Sequence, residues 1–120
     1  MPYISLKDDR REKLRLGEPA LTAGELNYQI FYYVKHNYIN FLGRLKIGNE
    51  IIDKFVEQFL GEKPNYQRYN DMTGALIRCY AEIKRRLNIE FDYLIDLCAS
   101  YDNEIAKYED IKIKENGDVE

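Results

Sequence analysis

A chain of 120 residues with 45% hydrophobic and 32% charged residues is long enough to bury one core without disulfides or metals, and it reads as a single helical domain over 1–120. Its net charge of −3 offers no general attraction to polyanions, so nucleic acid is not an expected partner. One histidine and two cysteines cannot supply a zinc site, and no window approaches the roughly 20 apolar residues of a membrane span.

The opening Met1-Pro2-Tyr3-Ile4-Ser5 lacks the basic and apolar regions of a secretory signal, so a cytoplasmic protein is expected. Ser5 is placed to cap a short charged helix through Lys7–Arg15 that stops at Gly17, and Glu18-Pro19 breaks it. Thr22-Ala23-Gly24-Glu25 is a capping box, in which the hydroxyl meets the third N–H and the carboxylate reaches back. The helix behind it carries Leu26, Ile30, Val34, Tyr38, Phe41, Leu42 and Leu45 along one line and Tyr28, Phe31, Tyr32 and Ile39 along a second. An apolar arc that wide predicts a central helix contacted on two sides; Gly43 and Gly48 loosen its end.

Asn49 opens the next helix. Ile51, Ile52, Phe55, Val56, Phe59 and Leu60 recur at helical spacing, opposed by Glu50, Asp53, Lys54, Glu57 and Gln58. Gly61 ends it and Pro64 prevents a restart. Asn70 or Asp71 then reads as the cap of a helix to Leu87 with Met72, Ala75, Leu76, Cys79, Tyr80 and Ile83 on one face. Asn88 is the expected break, since Asn caps better than it propagates. A further helix follows through Phe91, Leu94, Ile95, Leu97, Cys98, Tyr101, Ile105 and Tyr108. Beyond it, Ile111-Lys112-Ile113-Lys114 alternates with period two and Asn116-Gly117 is a hairpin signal. A hairpin, a ribbon with Tyr3-Ile4, or a frayed tail over 112–120 all fit that segment. The expected fold is mainly α: a compact bundle of four principal helices plus a short N-terminal helix, with a possible small β-ribbon formed by the termini.

Three blocks carry a family likeness: Gly24-Glu25-Leu26-Asn27-Tyr28, Tyr69-Asn70-Asp71-Met72-Thr73-Gly74-Ala75-Leu76, and Tyr108-Glu109-Asp110 with Glu115-Asn116-Gly117-Asp118-Val119. Over Met1–Ile4, Gly24–Ile30, Tyr69–Arg86 and Tyr108–Val119 the chain resembles a small uncharacterised protein family of bacteriophages and bacteria. In that family the Arg-Arg element leads almost directly into Tyr-Glu-Asp; here Leu87–Lys107 stands between them, and Asn49–Leu60 looks longer. The resemblance implies no established activity. Its phage association implies host-directed roles: interfering with a defence system, holding a signalling nucleotide, or regulating a host enzyme.

For chemistry, the residues point to binding rather than catalysis. Glu50-Ile51-Ile52-Asp53 has the E-x-x-D spacing of all-helical nucleotide pyrophosphohydrolases, yet no second acidic pair precedes it to complete a Mg²⁺ site. His36 has no serine or cysteine at an informative spacing, and Cys79 and Cys98 read as separate core residues in a reducing compartment. No catalytic residue, metal ligand or cofactor is assigned. Asn70 and Asp71 beside a helix start, Glu82 and Arg85 farther along, and Asn27 and Tyr28 from the earlier block form the candidate ligand site. A ladder Arg78–Glu82–Arg86 accounts for the same charges without a ligand. Eleven tyrosines and no tryptophan suit shallow pockets and core edges alike.

The expected function is therefore a non-enzymatic binding protein, of phage derivation, that sequesters a small anionic, nucleotide-like ligand or blocks a host protein. A Mg²⁺-dependent nucleotide hydrolase and a structural or assembly protein are the alternatives. The apolar faces of Asn49–Leu60 and Phe91–Tyr108 are generous for a chain of this size, and on that ground a homo-oligomer is expected.

Overall fold

The computed structural model describes residues 9–40 and 49–117, which form six helices. They are α1 (Arg10–Arg15), α2 (Ala23–Asn40), α3 (Asn49–Leu60), α4 (Tyr66–Leu87), α5 (Tyr93–Ser100) and α6 (Asp102–Asn116). The mainly α class holds. The Ser5 cap, the Tyr3-Ile4 strand, the apolar positions Phe41, Leu42 and Leu45, Gly43, Gly48 and Asp118-Val119 lie outside the described residues, as do the side chains of Tyr38 and Ile39.

The centre is α2 laid against α4, and the two run in the same direction. Arg68 Nη1 donates to the Leu21 carbonyl at one end, Cys79 Sγ reaches the Asn27 carbonyl midway, and the Arg86 guanidinium covers the Phe31 ring at the other. Leu26, Ile30 and Val34 from α2 and Met72, Leu76, Cys79 and Ile83 from α4 are fully buried. Their 3–4 spacing places each set on one side of its helix. A parallel pair needs a returning element between its members, and α3 supplies it. Phe55 meets the Tyr33 ring edge-on, while Phe59 lies under Arg68, so α3 runs antiparallel to both neighbours.

Both helices of the central pair start on side-chain caps. Glu25 N–H donates to Thr22 Oγ1 at 3.1 Å, the first half of the box. The carboxylate reaches one residue farther back than the motif requires, to Leu21 N–H at 2.9 Å. The cap of α4 is Asn65, not Asn70 or Asp71: its Oδ1 accepts from Arg68 N–H at 2.9 Å from an extended backbone. The helix starts a turn earlier than expected because Tyr69 lies three residues before Met72 on the buried face, extending the apolar stripe backwards. Asn70, Asp71 and Gly74 are helix interior. Asn88 ends α4 in the left-handed region at φ 56, its N–H donating to the Lys84 carbonyl, so the break falls where expected.

The stretch Phe91–Tyr108 divides in two. Ser100 Oγ donates to the Leu97 carbonyl at 2.6 Å and competes with the main-chain ladder, and Tyr101 turns out of the helix to pack on Tyr69. From there α6 continues to Asn116, which replaces the expected ribbon. Asn116 Nδ2 bonds the Lys112 carbonyl one turn back, and Gly117 at φ 83 closes the helix on the Ile113 carbonyl. Asn116-Gly117 is thus a helix stop rather than a hairpin. Residues 112–116 are helical where a hairpin or frayed tail was considered.

Most of the apolar positions of α3 and of the stretch that holds α5 are buried inside the chain, namely Ile52, Phe55, Val56, Phe59, Leu60, Phe91, Leu94 and Leu97, whereas Ile51 and Ile95 stay exposed. The apolar surplus on which an oligomer is expected is thus smaller than the spacing suggests.

The cap assignment is testable by urea denaturation. Asn65→Ala should cost about 0.5–2 kcal/mol, the range for a lost helix cap. Asp71→Ala should stay within about 0.5 kcal/mol of wild type, as expected for a substitution that leaves the cap and core intact. A larger loss from the Asp71 variant would place the cap where the sequence first suggested it.

Candidate functional site

The seam between α2 and α4 brings two of the expected site residues, Asn27 and Glu82, into contact. Asn27 and Glu82, fifty-five positions apart, are both buried, and Asn27 Nδ2 donates to Glu82 Oε1 at 3.5 Å. Glu82 Oε2 lies 3.9 Å from Arg86 Nη1, and that guanidinium stacks 4.5 Å from the Phe31 ring centre. The Asn27 carbonyl accepts from the Cys79 thiol at 3.7 Å. Burial first, and the neighbouring Glu82 charge second, push the Cys79 thiol well above its ordinary value, so it is a neutral donor and no nucleophile. Cys98 is also free, its thiol pushed up to about 11 by burial and by Asp102.

On one side of this seam runs an open groove of about 550 Å³, with Leu21 and Gly24 from the start of α2 and Asp71, Gly74, Ala75 and Arg78 from α4. Gly74 keeps the α4 wall low, since a Cβ there would meet nothing within 4 Å. Helical phase carries the same side onward: Gly24, Tyr28 and Phe31 follow one another on α2, and Asp71, Arg78 and Arg85 at seven-residue steps on α4. Asp71 therefore lines the groove, while Tyr28 and Arg85 share its side of their helices beyond its lining. Asn70 does not join them. It is nine residues from Cys79, which puts it on the far side of α4, and it is exposed.

α1 packs on α2 next to the groove, beside Tyr28 and Tyr32. Arg11 and Arg15 are one helical turn apart and both cover the aromatic floor: Arg11 lies 5.3 Å from the Tyr28 ring centre, and Arg15 5.9 Å from Tyr28 and 4.7 Å from Tyr32. Arg15 Nε also donates to the Tyr28 hydroxyl at 2.7 Å. Tyr28 stacks on Tyr32 at 6.1 Å, and Tyr32 on His36 at 4.1 Å, the i, i+4 ladder of one helix face.

Arg11, Arg15, Arg78 and Arg85 form no ion pair with any described carboxylate. The expected Arg78–Glu82 rung is absent among the described residues, because the Glu82 carboxylate turns into the seam toward Asn27 and Arg86. Charge is also divided between helices. α1 and α4 carry nine basic residues against three acidic, whereas α3, α5 and α6 carry nine acidic against four basic. The groove thus lies among the cationic elements of a chain whose net charge is negative.

No family model matches this chain, and neither a curated protein nor a solved structure matches it.

The hydrolase residues are differently engaged. Asp53 accepts from the Tyr93 hydroxyl across the α3–α5 contact, and among the described residues no three His, Cys, Asp or Glu side chains come together as a metal site. His36 packs on Tyr32 at the exposed end of the aromatic ladder. Arg11, Arg15, Tyr32 and Arg78 were outside the site read from sequence. The i, i+4 spacing of Arg11 and Arg15 and the seven-residue step from Arg78 to Arg85 were visible there, but not which helix would face them.

The Tyr93–Asp53 contact gives a pH signature. Burial first, then the hydrogen bond to Asp53 and nearby charges, push the Tyr93 phenol from 10.0 up to about 12. The folded chain keeps a proton that the unfolded chain has released, so this contribution is complete below pH 10 and is lost as pH rises through about 12. Absorbance titration of the tyrosinate band should lose its latest-titrating phenol in Tyr93→Phe. An unchanged alkaline limb would contradict the contact.

Proposed function

We propose that this protein binds a small anionic, nucleotide-like ligand in the groove between α2 and α4 and against the arginines beside it. One observation carries the reading: Arg78 lines the groove, Arg85 follows it on the same side of α4, and Arg11 and Arg15 cover Tyr28 and Tyr32 on the neighbouring part of α2, all four without carboxylate partners among the described residues. Guanidinium groups grip phosphate in two-point fashion, and a guanidinium resting on a ring presents a flat face on which a base can stack. Arg78 and Arg85 are seven residues apart, about 10 Å along a helix, while Arg11 and Arg15 are about 6 Å apart. Spaced cations on two helices suit a ligand with more than one phosphate group.

The reading is of a protein that holds its ligand. A hydrolase of the Mg²⁺ type would need clustered carboxylates, and among the described residues Asp53 is not joined by two further potential ligands. The resemblance to phage proteins supports a purpose for such holding: a phage protein that sequesters a nucleotide-like signal withholds it from the host, as anti-defence requires.

Calorimetry with adenosine and guanosine mono-, di- and triphosphates tests this directly. Affinity should rise with phosphate number and fall with added salt. Arg78→Ala and Arg85→Ala should each weaken binding by about 1.5–3 kcal/mol, the range for a charged hydrogen bond. Both should melt close to wild type because the two side chains are exposed. Asn70→Ala should bind as wild type. Arginine variants that bind normally, or binding indifferent to phosphate number, would sink the assignment.

A further inference from the structure

The segment that carries Arg11 and Arg15 is held on the body by polar contacts. α1 packs against α2, and Leu14 is its buried side chain. The rest of its attachment is directional. Arg10 clasps the Glu25 carboxylate through Nε at 2.9 Å and Nη2 at 2.8 Å, and the same Nη2 donates to the Pro19 carbonyl at 2.7 Å. Gln29, itself 2% exposed, donates from Nε2 to the carbonyls of Leu14 at 2.9 Å and Glu18 at 2.8 Å. Both carbonyls flank the last turn of α1. That turn closes on itself: Gly17 at φ 99 lets its N–H meet the Leu14 carbonyl and the Glu18 N–H meet that of Lys13. α1 is therefore a self-capped unit fastened to α2 through a two-point ion pair, an amide, and the Arg11 and Arg15 contacts with Tyr28 and Tyr32.

We propose that α1 is a latch that docks on α2 and undocks as a unit, with Arg10–Glu25 as its catch, and that its position sets whether Arg11 and Arg15 stand beside the groove. The gating half rests on the groove reading; the latch does not. With one buried side chain, α1 has far less apolar burial to lose on opening than α4, whose Met72, Leu76, Cys79 and Ile83 are fully enclosed. The catch is a charge-assisted pair that is part-buried, with side-chain exposures of 19% for Arg10 and 15% for Glu25, so losing it weakens docking more than losing a fully solvated pair would. Arg10 and Glu25 are positioning residues: they fix where Arg11 and Arg15 stand over Tyr28 and Tyr32.

Hydrogen exchange on the full chain reads the latch. The amides of Lys13, Leu16, Gly17 and Glu18, all bonded within the α1 unit, should exchange together and faster than those of 76–83 in α4. Glu25→Gln keeps an oxygen for the Leu21 cap but removes the charge. It should speed the α1 set by about tenfold or more, the factor corresponding to loss of a charged hydrogen bond, and leave the α4 set unchanged. Arg10→Gln should do the same, and the double variant should add little. An α1 set that exchanges at the α4 rate, or that ignores both variants, overturns the latch. Inorganic triphosphate should slow the α1 set in wild type. Triphosphate that binds without slowing α1 overturns the gating role, and triphosphate that fails to bind counts against the groove reading while the exchange response to Glu25→Gln still stands for the latch.

Discussion

The parallel packing of α2 on α4 is the constraint on which the rest of the molecule depends. Leu26, Ile30 and Val34 meet Met72, Leu76, Cys79 and Ile83 along one seam, and all seven are fully buried. At about 1.5–3 kcal/mol for each large side chain taken from water, this seam outweighs any surface ion pair in the structure several times over. Its direction has consequences. Parallel helices require a crossing element, so α3 and its apolar face become part of the core rather than an external surface. The same alignment puts the starts of both helices at one end, with the open groove between Gly24 and Gly74, and Arg86 of the last turn of α4 beside Phe31 at the other.

Polar groups do a different job along that seam. The Asn27–Glu82 contact, at 3.5 Å, is a long hydrogen bond and a modest source of stability. What it does is orient. A buried carboxylate that turns inward to Asn27 and Arg86 leaves Arg78 without the rung that helical spacing alone would have given it. Arg10, by contrast, is saturated by Glu25, Glu18 and the Pro19 carbonyl, and so belongs to the attachment of α1. Arginines of one short helix thus take separate roles, one fastening and two facing the aromatic floor. The difference lies in which carboxylates the fold brings within reach.

Much of this was legible in the sequence, and the parts that were not share a cause. The Thr22–Glu25 box, the stripe from Ile52 to Leu60 and the stop at Asn88 are local patterns, and each appears where its spacing put it. Asn65 was passed over as a cap because Asn70 and Asp71 stood nearer the apolar stripe; Tyr69, read as outside it, turns out to be buried and extends the helix back. Ile111-Lys112-Ile113-Lys114 alternates like a strand but has no neighbouring strand among the described residues, and Tyr108, bonded to the Pro64 carbonyl, keeps α6 in its helical course. Asn27 and Glu82 were named as site residues and do meet. Their meeting, like the facing of Arg15 and Tyr32, is set by tertiary contacts between positions far apart in the chain, which periodicity within one helix does not encode.

The most direct measurement of the central claim is a titration of the ¹⁵N-labelled protein with adenosine triphosphate, following arginine Nε–H and backbone amide resonances together. A ligand seated in the groove should move the Nε–H signals of Arg11, Arg15, Arg78 and Arg85 and the amides around Tyr28 and Tyr32, while the amides of α3, α5 and α6 stay in place. Shifts confined to those acidic helices, or groove arginines that remain still at saturation, would contradict it.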